Sequence, residues 1–311
     1  MLAFFKKLIN MYDLIIIGAG PAGITASVYA ARKRMNLLVL AKDIGGQAAW
    51  SGDIENYTGY QFITGAELTT KLEEHIRKYN IALKEGEEVV EIKKINDAVH
   101  IKTDKNTYEA RTAIIASGKK SRELSVPGEK EFKNRGVSYC ATCDGPLFTE
   151  KDVAIIGGGN SALDAALQLI KIARRVYLIN INSTLAGDVV MQEKIKNAQN
   201  VVILYNTQVI EIIGDKFVKQ VKINREGKSE LLNVEGVFIE IGLIPNSEFA
   251  SGIERNSLDE IKVNCRNETN VPAIFAAGDV TDVPEKQIII AAGEGAKASL
   301  SAFRYLSKQR G

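Results

Sequence analysis

The chain is short of several things, and each shortage narrows what it can be. Its 311 residues carry three cysteines, too few for the disulfide framework of a secreted scaffold. There are two histidines, His75 and His100, and no second cysteine pair, so a four-ligand structural zinc site has no donor set and no metal is expected. No apolar run approaches the length of a membrane-spanning helix. An excess of charge is missing too: 40 Lys and Arg stand against 38 Asp and Glu, a net of +2, which does not point to nucleic acid. The runs Arg32-Lys33-Arg34 and Lys119-Lys120-Ser121-Arg122 read as solvated helix and loop faces. Residues 1–10 are apolar and basic but lack the longer core and cleavage site of a signal peptide. They read as an N-terminal extension, and the expected location is cytoplasmic.

What is present is an ordinary globular balance, 45% hydrophobic and 25% charged, over a length that suits two cores better than one. Tyr12 to Ile17 is a short apolar run ending in glycines, Pro21 to Arg34 reads as a helix, and Asn36 to Leu40 as a second strand: a β-α-β start. Val89 to Ile95, Val99 to Thr103 and Thr107 to Ala110 predict an antiparallel meander, with Ala113 to Ala116 a separate buried strand. The pattern restarts at Asp152, with Val153 to Ile156 apolar, Ser161 to Ile172 helical and Val176 to Asn180 a further strand. Near the end, Ile274 to Ala277 runs into Gly278-Asp279, and Ile288 to Leu306 is helix-compatible. The expected fold is α/β, two Rossmann-like three-layer domains with the second inserted into the first. The outer domain is expected to comprise 11–122 and 246–311, and the inserted one 123–245.

Two cysteines stand three residues apart in Cys140-Ala141-Thr142-Cys143-Asp144. That spacing lets the sulfurs close a small disulfide and open it again, the behaviour of a redox pair in an intracellular enzyme. Disulfide exchange needs a group that protonates a leaving thiolate or deprotonates an attacking thiol, and Asp144 is the candidate. Its competing reading is a turn or cap before Gly145-Pro146. Cys265 has no partner in sequence and reads as a small loop or strand residue.

A glycine loop flanks the pair on each side. Gly18-Ala19-Gly20-Pro21-Ala22-Gly23 follows a strand and opens a helix. In such a loop the first glycine permits the turn, the second lets backbone approach a pyrophosphate, and the third lets helix and strand pack. Gly157-Gly158-Gly159-Asn160-Ser161-Ala162 repeats the pattern as G-x-G-x-x-A. Gly157, Gly159, Asn160 and Ser161 are therefore candidates for a nicotinamide nucleotide, against a scaffold that binds none. The strand after it ends in Asn180-Ile181-Asn182-Ser183, with no acidic residue for the ribose of NADH, which has only Asn180 or Asn182 as a weak partner, and no basic residue for the 2′-phosphate of NADPH.

Across nearly everything from Tyr12 to Leu306 the chain resembles the low-molecular-weight thioredoxin reductase family of flavoproteins. The motifs are the Gly18 loop, Gly45-Gly46-Gln47, Glu55-Asn56-Tyr57, Ser117-Gly118, the Cys140 stretch and Gly278-Asp279. Cys143 to Phe148, the Gly157 loop and Lys286-Gln287-Ile288 through Ser301 look similar to the reductase module of the alkyl hydroperoxide reductase flavoprotein subunit. That protein carries a further dithiol domain with no counterpart in this sequence, so a separate disulfide partner is expected. The resemblance implies FAD, with Gly18, Gly20, Pro21, Ala22 and Gly23 at its pyrophosphate. It places Gly46, Gln47 and Asn56 near the ring, Ser117, Gly118, Gly278 and Asp279 along the cofactor, and Lys286, Gln287 and Ile288 beside the flavin.

The resemblance further implies that Cys143 faces the flavin and that Cys140 attacks a thioredoxin-like partner. A rotation between domains, hinged near 122–128 and 242–247, is expected because the pair cannot face both at once. A homodimer is expected. The donor is left open by Asn180: reduced ferredoxin, as in a branch of the family without nicotinamide specificity, NADH, or NADPH as the least served. The alternatives are an NADH-dependent reductase of a peroxiredoxin- or glutaredoxin-like system, and a redox-sensing flavin module without turnover.

Overall fold

The computed structural model describes residues 11–51 and 53–309; the extension expected at 1–10 lies outside them. Two compact units divide the chain, one running through residue 120 and resuming at 244, the other spanning 121–243. The first unit opens with β1 (Tyr12–Ala19), α1 (Pro21–Arg32), β2 (Leu37–Ile44), α2 (Gly65–Arg77), β3 (Ala82–Glu85), β4 (Val89–Ile95), β5 (Ala98–Thr103) and β6 (Thr107–Ile115). The second unit holds β7 (Val137–Ser138), α3 (Ala141–Asp144), β8 (Asp152–Ile156), α4 (Asn160–Leu169), β9 (Arg175–Ile179), α5 (Val189–Lys196) and β10 (Val201–Leu204). It continues through β11 (Thr207–Gly214), β12 (Val218–Arg225), β13 (Lys228–Asn233) and β14 (Gly236–Ile239). The chain then returns to the first unit with β15 (Ile274–Ala276) and α6 (Ile288–Gln309).

In the first unit β1 lies between β2 and β6, parallel to both, with β3 beyond β2. A strand covered on both faces is apolar throughout, and Leu14, Ile15, Ile16 and Ile17 fit that demand. Alternation sends Leu14 and Ile16 into a core shared with α1 and α6, and Ile15 and Ile17 into one shared with Ile92, Val99 and Ile101 of the meander. Burying each such side chain contributes about 1.5–3 kcal/mol. Small residues let α6 approach α1 closely: a Cβ on Gly295 would stand 2.0 Å from the Ala22 carbonyl oxygen.

One element differs from the sequence pattern. Arg111 and Thr112 interrupt the apolar run and read as a break, but β6 continues from Thr107 to Ile115. The buried Thr112 hydroxyl donates to the Asp13 carbonyl of β1 at 2.6 Å, so the polar residue is satisfied inside the sheet. The first half of β6 pairs antiparallel with β5 and its second half parallel with β15.

The second unit repeats the plan. Its parallel sheet runs β7-β14-β8-β9-β10. Val153 and Ile155 face α4, while Ala154 and Ile156 face the antiparallel β11-β12-β13 sheet through Val209, Ile212 and Val221. In each unit strand order reverses beside the first strand, between β1 and β6 and between β8 and β14. Ligands of such folds bind at this switch point, outside the carboxyl ends of the strands. No helix among the described residues is long and apolar enough to cross a membrane.

Candidate functional site

The Gly18 loop occupies the switch point of the first unit, and its three glycines separate by what surrounds them. Gly18 has φ +105°, and a Cβ there would stand 2.3 Å from the Ala116 carbonyl oxygen. A Cβ on Gly23 would stand 1.9 Å from the Gly18 carbonyl oxygen. The protein itself forbids side chains at both. Gly20 is different: the nearest atom to a Cβ is the Gly45 carbonyl oxygen at 3.9 Å. Gly20 is the N-cap of α1, Pro21 begins the helix, and no side chain caps it. The free backbone N–H groups at this end, with the open face of Gly20, form a cradle for a phosphate.

The other residues expected along the cofactor lie in the same unit, and several of them touch one another. Gly46 sits against Gly20, a Cβ on it meeting the Gly20 Cα at 3.4 Å. The Gln47 amide donates to the Lys119 carbonyl at 2.5 Å, and Asn56 donates to the Gln287 side-chain oxygen at 3.1 Å. Ser117 donates to the Asn246 carbonyl at 2.7 Å, and Asn246 returns a bond to the Ser117 carbonyl at 2.9 Å. Asn246 also donates its backbone N–H to the Gly118 carbonyl. A Cβ on Gly278 would meet the Ala22 Cβ at 2.9 Å, which sets Asp279 beside the start of α1. Burial raises the Asp279 carboxyl above its ordinary range, opposed by the nearby Lys286 and Lys119. Ile288 begins α6 and packs with Ile54 and Leu68.

Lys119 and Glu260 belong to this cluster and are not legible as such in the sequence. Both Lys119 and Lys286 place their ammonium groups 3.0 Å from Oε1 of the buried Glu260, while Asn256 donates to Oε2 at 2.7 Å. Burial pushes the Glu260 carboxyl up, but the bonds from Asn256, Lys119 and Lys286 hold it down at about 2. The sequence reads Lys119 as part of a solvated basic run; it is instead held by the Glu260 carboxylate, while Lys120 and Arg122 of the same run are exposed.

In the second unit Cys140 and Cys143 are joined as a disulfide, with Cα atoms 5.4 Å apart. Cys140 is the N-cap of the four-residue α3, and its Sγ accepts the Cys143 backbone N–H at 3.1 Å. The Cys140 N–H donates to the Ser138 hydroxyl oxygen at 3.0 Å, and the Asp144 N–H donates to the Cys140 carbonyl at 3.1 Å. Cys143 is exposed, while Cys140 and Asp144 are half-buried. Phe148 anchors the end of this segment edge-on against Phe238, ring centres 5.2 Å apart.

The second glycine loop lies at the switch point of the same unit, where a Cβ on Gly157 would stand 2.1 Å from the Glu240 carbonyl oxygen. Asn160 and Ser161 begin α4 and are exposed, and the Asn160 side chain accepts the Asp188 N–H at 2.7 Å. A Cβ on Gly159 would meet nothing within 4 Å. Asn180, where a ribose partner is expected, is only 3% exposed. Its amide donates to the Asn182 and Thr184 carbonyls at 3.1 and 2.7 Å, so both hydrogens are spent inside the unit. Ile181, next in the chain, and Val189 and Val190 at the start of α5 present exposed apolar side chains. Glu240 closes β14 beside the loop; burial and the charge of Asp164 push its carboxyl up to about 8.

Outside these places, Cys265 is a free, exposed cysteine in a turn, His75 is exposed on α2, and His100 faces Glu109 at 3.5 Å. No group of three or more His, Cys, Asp and Glu that could hold a metal occurs among the described residues.

Comparison with known proteins finds a family profile, pyridine nucleotide-disulphide oxidoreductase, matching residues 12–295. The chain is 42% identical over 299 residues to an alkyl hydroperoxide reductase protein of Staphylococcus aureus, covering 95% of this chain but 59% of that protein. It thus spans well under two thirds of the curated relatives it matches. Among solved structures, thioredoxin reductase of Lactococcus lactis aligns at TM-score 0.90 with 35% identity, covering 96% of this chain and 99% of the other. Thioredoxin reductase of T. acidophilum aligns at 0.88 with 39% identity and the same coverages. A ferredoxin-flavin thioredoxin reductase of Clostridium acetobutylicum aligns at 0.54 with 34% identity, again covering 96% and 99%.

Proposed function

The chain belongs to the pyridine nucleotide-disulphide oxidoreductase family, in which it fits the low-molecular-weight thioredoxin reductases, and from that premise we propose that it reduces the disulfide of a thioredoxin-like protein. The observation that carries the proposal is the Cys140–Cys143 disulfide seated on the turn of α3.

The family implies FAD, and the Gly18 cradle fits it. Gly18 and Gly23 are glycines because protein atoms crowd them, whereas Gly20 is open on the protein side and suits the close approach of a pyrophosphate. Gly46, Gln47, Asn56, Ser117, Gly118, Gly278, Asp279, Lys286, Gln287 and Ile288 would hold the rest of the cofactor. Bound there, FAD supplies electrons in pairs for opening the disulfide.

In the reduced pair the Cys140 thiolate is the nucleophile. The Cys143 N–H that points at its sulfur favours the charged form. Exposure ranks the sulfurs the other way, and the hydrogen bond is the stronger argument because reactivity follows the thiolate. Cys140 Sγ bonds to one sulfur of the partner disulfide, whose other sulfur leaves as a thiolate. The Cys143 thiol then gives its proton to Asp144 and attacks Cys140 Sγ. The Cys140–Cys143 bond re-forms, the partner's second sulfur leaves, and that thiolate takes the proton from Asp144. The pair has lost two electrons and the partner disulfide has gained them.

The reading favours a protein donor of the ferredoxin kind over NADPH. Asn180 cannot turn its buried amide to a ribose without giving up two backbone bonds, and the sequence from Asn180 to Gly187 holds no Arg or Lys to receive a 2′-phosphate. NADH is the second reading, supported by the 42% identity to the hydroperoxide reductase proteins, in which case the partner belongs to a peroxiredoxin-like system. Anaerobic mixing of the flavin-loaded protein with NADPH, NADH and reduced ferredoxin, followed by flavin absorbance, separates these. Rapid bleaching by micromolar NADPH overturns the donor assignment. Alanine at Cys140 or Cys143 tests the reductase itself, which is wrong if partner reduction survives either change.

A further inference from the structure

The disulfide turn is tied to the rest of its unit by a chain of side-chain hydrogen bonds that the reaction as described does not use. Thr142, between the two cysteines, donates its hydroxyl to Gln168 Oε1 at 2.8 Å. Gln168 Nε2 donates in turn to Asp164 Oδ2, also at 2.8 Å. Asp164 and Gln168 stand four residues apart on α4, so they share one helix face, and that face meets the redox turn. Gly145, just after the turn, packs on Leu169 of the same helix, with a built Cβ 3.4 Å from a Leu169 methyl.

The chain has a direction. An ionised carboxylate only accepts, so Asp164 must face the amide nitrogen of Gln168. That leaves the amide oxygen toward Thr142, and Thr142 must therefore be the donor. Its one hydroxyl hydrogen is committed to Gln168 and is withheld from the sulfurs on either side.

We propose that Gln168, with Asp164 behind it and Thr142 in front, is a positioning residue for the Cys140–Cys143 pair that biases the pair toward its disulfide form. Two effects act in the same sense. Holding the turn keeps the two thiols at the separation a disulfide needs, which raises their effective concentration for each other. Withholding the Thr142 hydroxyl removes a donor that would otherwise stabilise a thiolate in the reduced pair. Both make the pair a stronger reductant. The inference rests on the reading of the pair as redox-active.

The test is the thiol–disulfide equilibrium of Cys140 and Cys143 in the full-length, flavin-loaded protein. The protein is poised anaerobically in graded reduced and oxidised dithiothreitol, then alkylated and read by mass spectrometry, so no turnover is needed. Gln168→Leu loses the tie and frees the Thr142 hydroxyl. It should weaken the disulfide by about fivefold, the worth of a single net hydrogen bond, which at about 30 mV per tenfold is about 20 mV upward. Thr142→Val loses the tie but frees no donor and should shift in the same direction by less. Thr142→Ser keeps the hydroxyl and should stay at the parent value. Circular dichroism and flavin content of each variant report whether it is folded. A folded Gln168→Leu protein with an unshifted equilibrium overturns the positioning role and leaves the reductase reading intact. A parent pair that does not exchange with dithiothreitol at all overturns both.

Discussion

Gly158 and Asn180 are packed against each other so closely that a Cβ on the glycine would stand 2.5 Å from the Asn180 side-chain oxygen. The amide therefore fills part of the second glycine loop instead of standing clear to receive a ligand. A residue type that looks like a weak ribose partner in sequence is a buried bracket in the fold, joining the end of β9 to residues 182–184.

Removing the bracket should cost stability. Asn180→Ala leaves the Asn182 and Thr184 carbonyls without their donor and should lower the unfolding free energy by about 1–3 kcal/mol. Urea denaturation checks this as a lower midpoint at unchanged slope. A variant as stable as the parent would mean that solvent replaces both bonds freely.

The second and third glycines of the first loop should fail differently. Gly23→Ala puts a methyl 1.9 Å from a backbone oxygen and should destabilise the unit and yield protein without flavin. Gly20→Ala meets nothing closer than 3.9 Å within the protein and should fold normally. It should nevertheless bind FAD about tenfold or more weakly, because the methyl lies where the pyrophosphate approaches. Thermal melts of the apoprotein together with FAD titration separate the two outcomes.

Cysteine-to-serine variants should reveal the order of attack. Cys143→Ser leaves the Cys140 thiolate without its resolving partner and should accumulate a mixed disulfide with an oxidised thioredoxin. Cys140→Ser should trap none under the same conditions. Turnover falls by about a thousandfold or more in both. Non-reducing gels and mass spectrometry read the adduct, and trapping by Cys140→Ser alone would reverse the assignment.

Glu240 should give stability a pH dependence of definite sign. Its carboxyl titrates at about 8 in the folded chain, against an ordinary value of 4.5. Between those values the folded state holds a proton that the unfolded state has released, so stability falls as pH rises through this window. Glu240→Gln removes the titration. It should be nearly neutral at pH values about 4.5 and below, and stabilise by about 1–3 kcal/mol once pH is above about 8. Glu260 acts in the opposite sense, held down at about 2. Its contribution is present above pH 4.5 and is lost as pH falls from there toward 2. Urea midpoints of parent, Glu240→Gln and Glu260→Gln across about pH 2 to 9 read both slopes.

Much of the site was legible because it rests on short-range rules. A glycine that must tolerate φ +105°, as Gly18 does, announces itself by type. Two cysteines three apart announce a closed pair, and apolar runs ending in glycine announce buried parallel strands. Those local signals suffice for an α/β fold with two glycine loops and for a redox pair between them.

Partnership between distant residues carried no such signal. Lys119 and Glu260 lie 141 positions apart, and nothing in either neighbourhood shows that two ammonium groups converge on one buried carboxylate. The continuity of β6 through Arg111 and Thr112 depended on a carbonyl of Asp13 in another strand. The sequence by itself determined the chemistry the chain can perform, since thiol pairs and glycine loops act through residue type and spacing. Only the tertiary structure decided how those groups are held, because burial and hydrogen-bond partners are set by what the fold brings alongside. Asn180 became a bracket and Gln168 a tie to the disulfide for that reason.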